Sequence, residues 1–203
     1  MLYDERKGLI RRRLDDFRAV LKGSEEEVFS ELAFCLCTPQ SSARVCDAAI
    51  RGLAGSGVLF RGDADSVRKG LVGVRFCENK ARYIVEAREA FSRDGKLDMK
   101  SGLRGEPFQL REWLVGEVKG LGYKEASHFL RNVGMGEGLA ILDRHILRNL
   151  VRHGVIPEIP KSLTGRKYLE IEKAMMRFSE RIRIPMGELD LLFWSRETGE
   201  VFK

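Results

Sequence analysis

The Gly120-Leu121-Gly122 turn, set between two helical patterns, restricts most strongly what this chain can fold into. Residues 108–118 read as one helix and residues 124–132 as the next, so the segment forms a helix-hairpin-helix, with the hairpin over 112–132 and its turn at 120–122. In a Gly-x-Gly turn the backbone amides lack intrahelical partners, and the missing side chains let a ligand come close. The amides of Gly120 and Gly122 can point at a phosphate, helped by the positive end of the following helix. The same residues also suit a glycine-rich connection with no ligand.

Helical patterning continues on both sides. Apolar residues at 9, 10, 14, 17, 20 and 21 form a stripe. Ser24 followed by Glu27 is a capping-box start for a helix running to about Cys37. Residues 38–42 interrupt, and Ser41 or Ser42 caps a helix over 43–53. Asp63 or Asp65 caps a short helix ending at Gly70, and Asn79 caps one over 80–93. Residues 95–105 read as a linker, with Pro107 opening the hairpin region. Helices over 144–153, 164–180 and 187–194 follow, the first two separated by a stiff Ile156-Pro157-Glu158-Ile159-Pro160 break, and 195–203 form a tail. No period-two pattern marks a strand. The expected fold is all-α, about ten helices in one unit over 1–203.

Composition narrows the partners. The chain has 203 residues, 43% hydrophobic and 33% charged, as expected of a globular protein with a real core. The net charge of +6, with 24 arginines to 12 lysines, favours a polyanion, because the guanidinium fork suits phosphates. No apolar run approaches the ~20 residues that span a bilayer, and the N-terminus lacks a secretory h-region, so no membrane role and an intracellular setting are expected. Cys35, Cys37, Cys46 and Cys77 form no C-x-x-C pair and lie near no His cluster. They read as small buried hydrophobes, with no metal site.

Two residues add chemistry to the hairpin. Lys124 opens the second hairpin helix, where the helix dipole disfavours a cation and nearby Lys119 and Arg144 push the same way. A lysine so placed can shed its proton and act as a nucleophile, although a lysine on a helix is usually just solvated. Asp143 precedes Arg144-His145-Ile146-Leu147 as an N-cap, a sufficient role. It can equally stabilise positive charge on a sugar or steer the amine.

The V-K-G-L-G-Y-K-E-A run, the L-D-R-H segment and the ending E-L-D-L-L-F-W-S-R-E-T-G-E-V-F-K together resemble the helix-hairpin-helix DNA glycosylases. Within them the chain is most similar to the compact 8-oxoguanine DNA glycosylase/AP lyases of archaea and some bacteria, from about Phe29 onward. That resemblance implies two helical lobes, about 24–105 and 106–203 plus the N-terminal helix, with a base-binding cleft between them. It implies a prokaryotic, cytoplasmic, DNA-associated monomer acting on double-stranded DNA that contains 8-oxoguanine, with the lesion base flipped from the stack. Lys124 would attack C1′ and form a Schiff base, β-elimination would nick the strand 3′ to the lesion, and Asp143 would assist. Gln40 would fill the gap left by the flipped nucleotide, or be a plain loop residue. Trp194 and Phe76 would stack on the purine, or serve as core. Lys203 would reach the pocket and help distinguish the oxidised base, with Asp190 and Met186 as pocket walls. Lys119, Gly120 and Gly122 would meet the DNA backbone. No cofactor is required, though a monovalent cation at the hairpin carbonyls would bridge to the phosphate.

The chain departs from many hairpins of this type in having Val-Lys-Gly where Leu-Pro-Gly is usual, which leaves Lys119 free to meet a phosphate. No cysteine lies beyond Cys77, which argues against the branch that carries an iron–sulfur cluster. Two alternatives stay open. One is a glycosylase for another damaged base, and the other is a DNA-binding hairpin module without catalysis.

Overall fold

Caps and turns set most of the element boundaries in the computed structural model, which describes residues 2–203. The helix α1 (Leu2–Val20) is followed by α2 (Glu25–Cys37), α3 (Ala43–Gly55), the single turn α4 (Val58–Arg61), α5 (Ala64–Gly70) and α6 (Cys77–Ala90). An antiparallel ribbon of β1 (Ser92–Arg93) and β2 (Lys96–Leu97) leads through α7 (Met99–Gly102) to the hairpin helices α8 (Pro107–Glu117) and α9 (Tyr123–Asn132). Three helices complete the chain: α10 (Arg144–Arg152), α11 (Gly165–Ile182) and α12 (Met186–Thr198). The all-α class holds, with the ribbon as a small addition.

The capping box of α2 is complete: the Glu27 amide donates to Ser24 Oγ at 3.1 Å, and the Ser24 amide donates to the Glu27 carboxylate at 2.6 Å. Asp63 caps α5 by accepting from the Ser66 amide at 2.8 Å, and Pro107 occupies the first turn of α8, where its missing N–H costs nothing.

Several boundaries differ from the sequence reading. Helix α1 starts at Leu2 rather than near Leu9. Asn79 is no cap: α6 begins at Cys77 behind Phe76, which takes a left-handed conformation (φ 57°), and Asn79 lies inside the first turn. The supposed linker contains β2 and α7. Its ribbon turns on Asp94-Gly95, both at positive φ, the geometry that a two-residue hairpin requires. Helix α12 runs on to Thr198, so the irregular tail begins at Gly199, a left-handed C-cap.

Three apolar clusters hold these elements. In the largest, Phe29, Leu32, Ala33 and Leu36 of α2 are covered by α3, α6 and α9, the last through Phe129 and Leu130. A second joins α10, α11 and α12 through Ile146, Leu150, Ile171, Met175, Leu189 and Phe193. A third packs Ile10 and Phe17 of α1 on Leu191 and Leu192 of α12. Cys35, Cys37 and Cys46 are buried and free, and burial lifts their thiols above the usual range, Cys37 to about 12. Among the described residues, no helix is long and apolar enough to cross a membrane, and no group of three or more His, Cys, Asp or Glu is placed to hold a metal ion.

The most deeply buried ion pair among the described residues joins α8 to α11. The Arg111 guanidinium of α8 meets the Glu172 carboxylate of α11 through two bonds of 2.5 and 2.8 Å, and Glu172 also accepts from the Ala140 amide at 2.8 Å. The rings of Phe108, Tyr123 and Tyr168 surround the guanidinium. Removing one partner would strand the other charge out of water. Glu172→Ala is therefore expected to lose about 3–5 kcal/mol in denaturant unfolding. A loss below about 1 kcal/mol would show that the pair does not hold this interface.

Candidate active site

Helix α9 is divided lengthwise. Phe129 and Leu130 enter the core, whereas Lys124, His128 and Arg131, spaced as residues on one helical face, line a cleft of about 940 Å³. The loop between α2 and α3, the start of α10, one face of α12 and the C-terminal tail supply its other walls. Lys124 is 22% exposed. Its Nζ donates to Thr38 Oγ1 at 3.3 Å and lies 3.6 Å from Glu125 Oε1. The Thr38 hydroxyl in turn donates to the Cys35 carbonyl at 2.9 Å, which fixes the lone pair that faces the amine.

Asp143 reaches the same cleft as the N-cap of α10. Its Oδ1 accepts from the amides of His145 and Ile146, each at 2.8 Å, while Oδ2 accepts no hydrogen bond among the described residues. The connector before it is pinned from behind. Tyr168 donates to the Ala140 carbonyl at 2.5 Å and accepts from the Leu142 amide at 3.4 Å, beside the Glu172 contact to Ala140. The carboxylate therefore sits on a fixed backbone.

The tail closes the cleft. The Lys203 ammonium lies 2.6 Å from Glu31 and 2.8 Å from Asp47, over the Phe34 ring at 4.7 Å, and the two carboxylates outweigh burial and raise its pKa. Arg44 pairs with Glu200 and stacks on Phe202, whose ring is 6.3 Å from that of Trp194. Trp194 is half-buried, one turn beyond Asp190 on α12.

The hairpin adjoins the cleft through the start of α9. The amides of Gly122, Tyr123, Lys124 and Glu125 donate to nothing among the described residues, and Gly122 brings no side-chain cap. Four free amides at the positive end of a helix are an anion site. Gly120 has φ 87°, and a Cβ there would lie 2.3 Å from the Tyr83 ring, so the turn admits only glycine at that position. Lys119 is exposed, 3.4 Å from Glu86.

Of the residues singled out in the sequence, Lys124, Asp143, Gln40, Asp190, Trp194 and Lys203 converge on the cleft. Gln40 stands exposed at its mouth with φ 56°. Lys119, Gly120 and Gly122 lie on the hairpin turn outside it. Phe76 does not line the cleft; it is 56% exposed at the start of α6 beside Arg75. Met186 does not line the cleft: it is buried against the α10–α12 cluster and borders a second cavity of about 460 Å³ together with Leu14 and Arg18 of α1, one turn back along α12 from Asp190. Sequence reasoning passed over His128, Arg131, Thr38, Glu31 and Asp47. The spacing of 124, 128 and 131 would have put the first two beside the lysine, whereas the anchors of Lys203 depend on tertiary folding.

The geometry matches known proteins. The profile of the 8-oxoguanine DNA glycosylase family matches residues 10–184. A protein of Fusobacterium nucleatum called 8-oxoguanine DNA glycosylase/AP lyase is 45% identical over 205 residues, covering 100% of this chain and 94% of the relative. The crystal structure of the 8-oxoguanine DNA glycosylase of Thermotoga maritima superposes with a TM-score of 0.88 at 39% identity, covering 100% of this chain and 95% of that one. The Methanocaldococcus jannaschii 8-oxoguanine glycosylase/lyase in complex with a 15mer DNA containing 8-oxoguanine gives 0.85 at 39% identity, with 97% and 93% covered.

Inside the cleft, Arg131 Nη1 donates to Asp190 Oδ2 at 2.8 Å. Burial pushes the Asp190 carboxyl up to about 6, with Arg131 opposing and Asp143 reinforcing the rise. Carbon NMR of the Asp190 carboxyl is expected to show a transition near pH 6 that moves higher in Arg131→Gln. A transition at the ordinary aspartate value, near 4, would mean that the site is wetter than its geometry indicates.

Proposed function

The chain belongs to the 8-oxoguanine DNA glycosylase family, and from that membership we infer that it is a bifunctional DNA glycosylase/AP lyase that excises 8-oxoguanine from double-stranded DNA. The observation that carries the reading is the meeting of the Lys124 amine and the Asp143 carboxylate in one cleft, beside the free amides of the hairpin.

Each part has a task. The hairpin amides take a backbone phosphate, which positions the duplex without reading sequence. The carbonyls of Lys119, Gly120 and Leu121 accept no hydrogen bond among the described residues, so they suit a monovalent cation bridging to that phosphate. Gln40, exposed in a left-handed conformation at the cleft mouth, enters the space left by the flipped nucleotide. Lys124 in its neutral form attacks C1′: the N–C1′ bond forms, the bond from C1′ to the base breaks, and the base leaves with the electron pair and takes up a proton. The free oxygen of Asp143 offsets the positive charge that develops on the sugar. The nitrogen then gives up a proton and its lone pair forms C1′=N as the C1′–O4′ bond breaks and O4′ takes up a proton. The resulting Schiff base loses a proton from C2′, and the C3′–O3′ bond breaks with the phosphate leaving, which nicks the strand 3′ to the lesion.

Trp194 offers a flat face to the purine. The Lys203 ammonium is engaged by Glu31 and Asp47, so its part in recognition is to hold the tail across the cleft. Oxidation turns purine N7 from an acceptor into an N–H donor, and Asp190 supplies an acceptor of the kind that rewards this change. The enzyme works as a monomer on DNA in a prokaryotic cytoplasm.

Incubation with duplexes carrying 8-oxoguanine and other damaged bases tests this reading. Release of 8-oxoguanine with strand nicking is expected, with both lost by about 10³-fold or more in Lys124→Ala. Equal or better release of another base would overturn the substrate, and tight binding without any release would favour a non-catalytic module. Replacing Lys203 by Met is expected to slow 8-oxoguanine excision more than cleavage of a preformed abasic site. Equal losses on both substrates would remove the tail from recognition.

A further inference from the structure

His128 is a buried polar side chain that neither the core nor the lysine chemistry explains. It lies one turn beyond Lys124 on α9, is 5% exposed, and lines the cleft. Neither ring nitrogen has a hydrogen-bond partner among the described residues. Its nearest ring is Phe34, edge-on at 5.5 Å, which satisfies neither nitrogen. A histidine with no purpose beyond packing would give way to an apolar residue without loss, since unpaired buried nitrogens cost stability.

The surroundings define what such a side chain can bind. Burial, reinforced by Arg131, Lys124 and Lys203, holds the imidazole well below its ordinary pKa, so it is neutral. A neutral imidazole offers one N–H donor and one lone pair but no charge; a phosphate, all acceptors, could meet the donor only, whereas a group that presents both a donor and an acceptor can meet either nitrogen. In the site as described, the hairpin amides face the phosphate, and Lys124 and Asp143 face the sugar. What remains is the base, whose edge alternates N–H and C=O groups and whose flat faces suit a cleft already furnished with Trp194.

We propose that His128 is a specificity-determining residue that hydrogen-bonds the polar edge of the base flipped into the cleft. The proposal rests on the reading of this cleft as the 8-oxoguanine pocket. In the free protein the two nitrogens are a local cost, and bound base removes that cost for the nitrogen that it meets. A site built to hydrogen-bond its substrate discriminates strongly because a wrong ligand leaves the buried group unpaired.

The test compares His128→Leu, which keeps the bulk and deletes both nitrogens, with His128→Gln, which keeps a donor and an acceptor. Excision of 8-oxoguanine, cleavage of a preformed abasic site, and thermal stability are measured for each. His128→Leu is expected to lower kcat/KM for excision by about 10- to 100-fold, change abasic-site cleavage by less than about 3-fold, and leave Tm unchanged or raised. His128→Gln should recover part of the lost excision. Equal losses on both substrates, no loss on either, or a marked fall in Tm for the leucine variant would each overturn the proposal, leaving His128 as packing or a water ligand. If the unsubstituted protein excises a different base, the substrate reading fails while the same comparison, made on that base, still decides the role of His128.

Discussion

Glu172 binds the Arg111 guanidinium with both carboxylate oxygens and also accepts the Ala140 amide, so one side chain of α11 joins the first hairpin helix to the connector that leads to Asp143. Arg111 reaches on to Ser127 of α9 at 3.3 Å. The helix bearing Lys124, the helix before it and the backbone bearing Asp143 are thereby tied to one buried charge pair. Such a pair adds little net stability over an apolar substitute, but it tolerates few alternative geometries. The relative placement of Lys124 and Asp143 inherits that constraint.

Helix α9 does the rest of the positioning. Its first turn presents free amides, one long face carries Lys124, His128 and Arg131 into the cleft, and the opposite face is locked into the core by Phe129 and Leu130. A shift in this helix would move the anion site, the amine and the cleft floor together. Rigid coupling of this kind suits a reaction in which the phosphate grip must set the distance between an amine and a sugar carbon.

The sequence made much of this readable, and for definite reasons. Helices with side-chain caps, such as Ser24 before α2 and Asp143 before α10, were found because a cap is a local event. Helix α6 was misplaced because it starts behind a left-handed Phe76 with no side-chain cap. The ribbon was missed although Asp94-Gly95 is a hairpin dipeptide, because its two-residue strands show no alternation. The places of Lys124 in the first turn of α9 and of Asp143 as the cap of α10 were legible in the sequence, whereas their meeting in one cleft is a product of tertiary folding. Met186 was expected as a pocket wall from the resemblance alone; it lies on the same side of α12 as Asp190 but one turn back, where α1 borders a separate cavity, and that partition depends on tertiary packing. The anchoring of Lys203 by Glu31 and Asp47 joins residues more than 150 positions apart, which no local pattern reveals.

The central claim is that the Lys124 amine forms a covalent bond to the sugar of the damaged nucleotide. Borohydride reduction of a reaction with 8-oxoguanine duplex, followed by digestion and mass spectrometry of the DNA-linked peptide, tests it most directly. The account predicts a reduced adduct on Lys124. An adduct on another lysine, such as Lys119 or Lys203, or excision with no adduct at all, would contradict it.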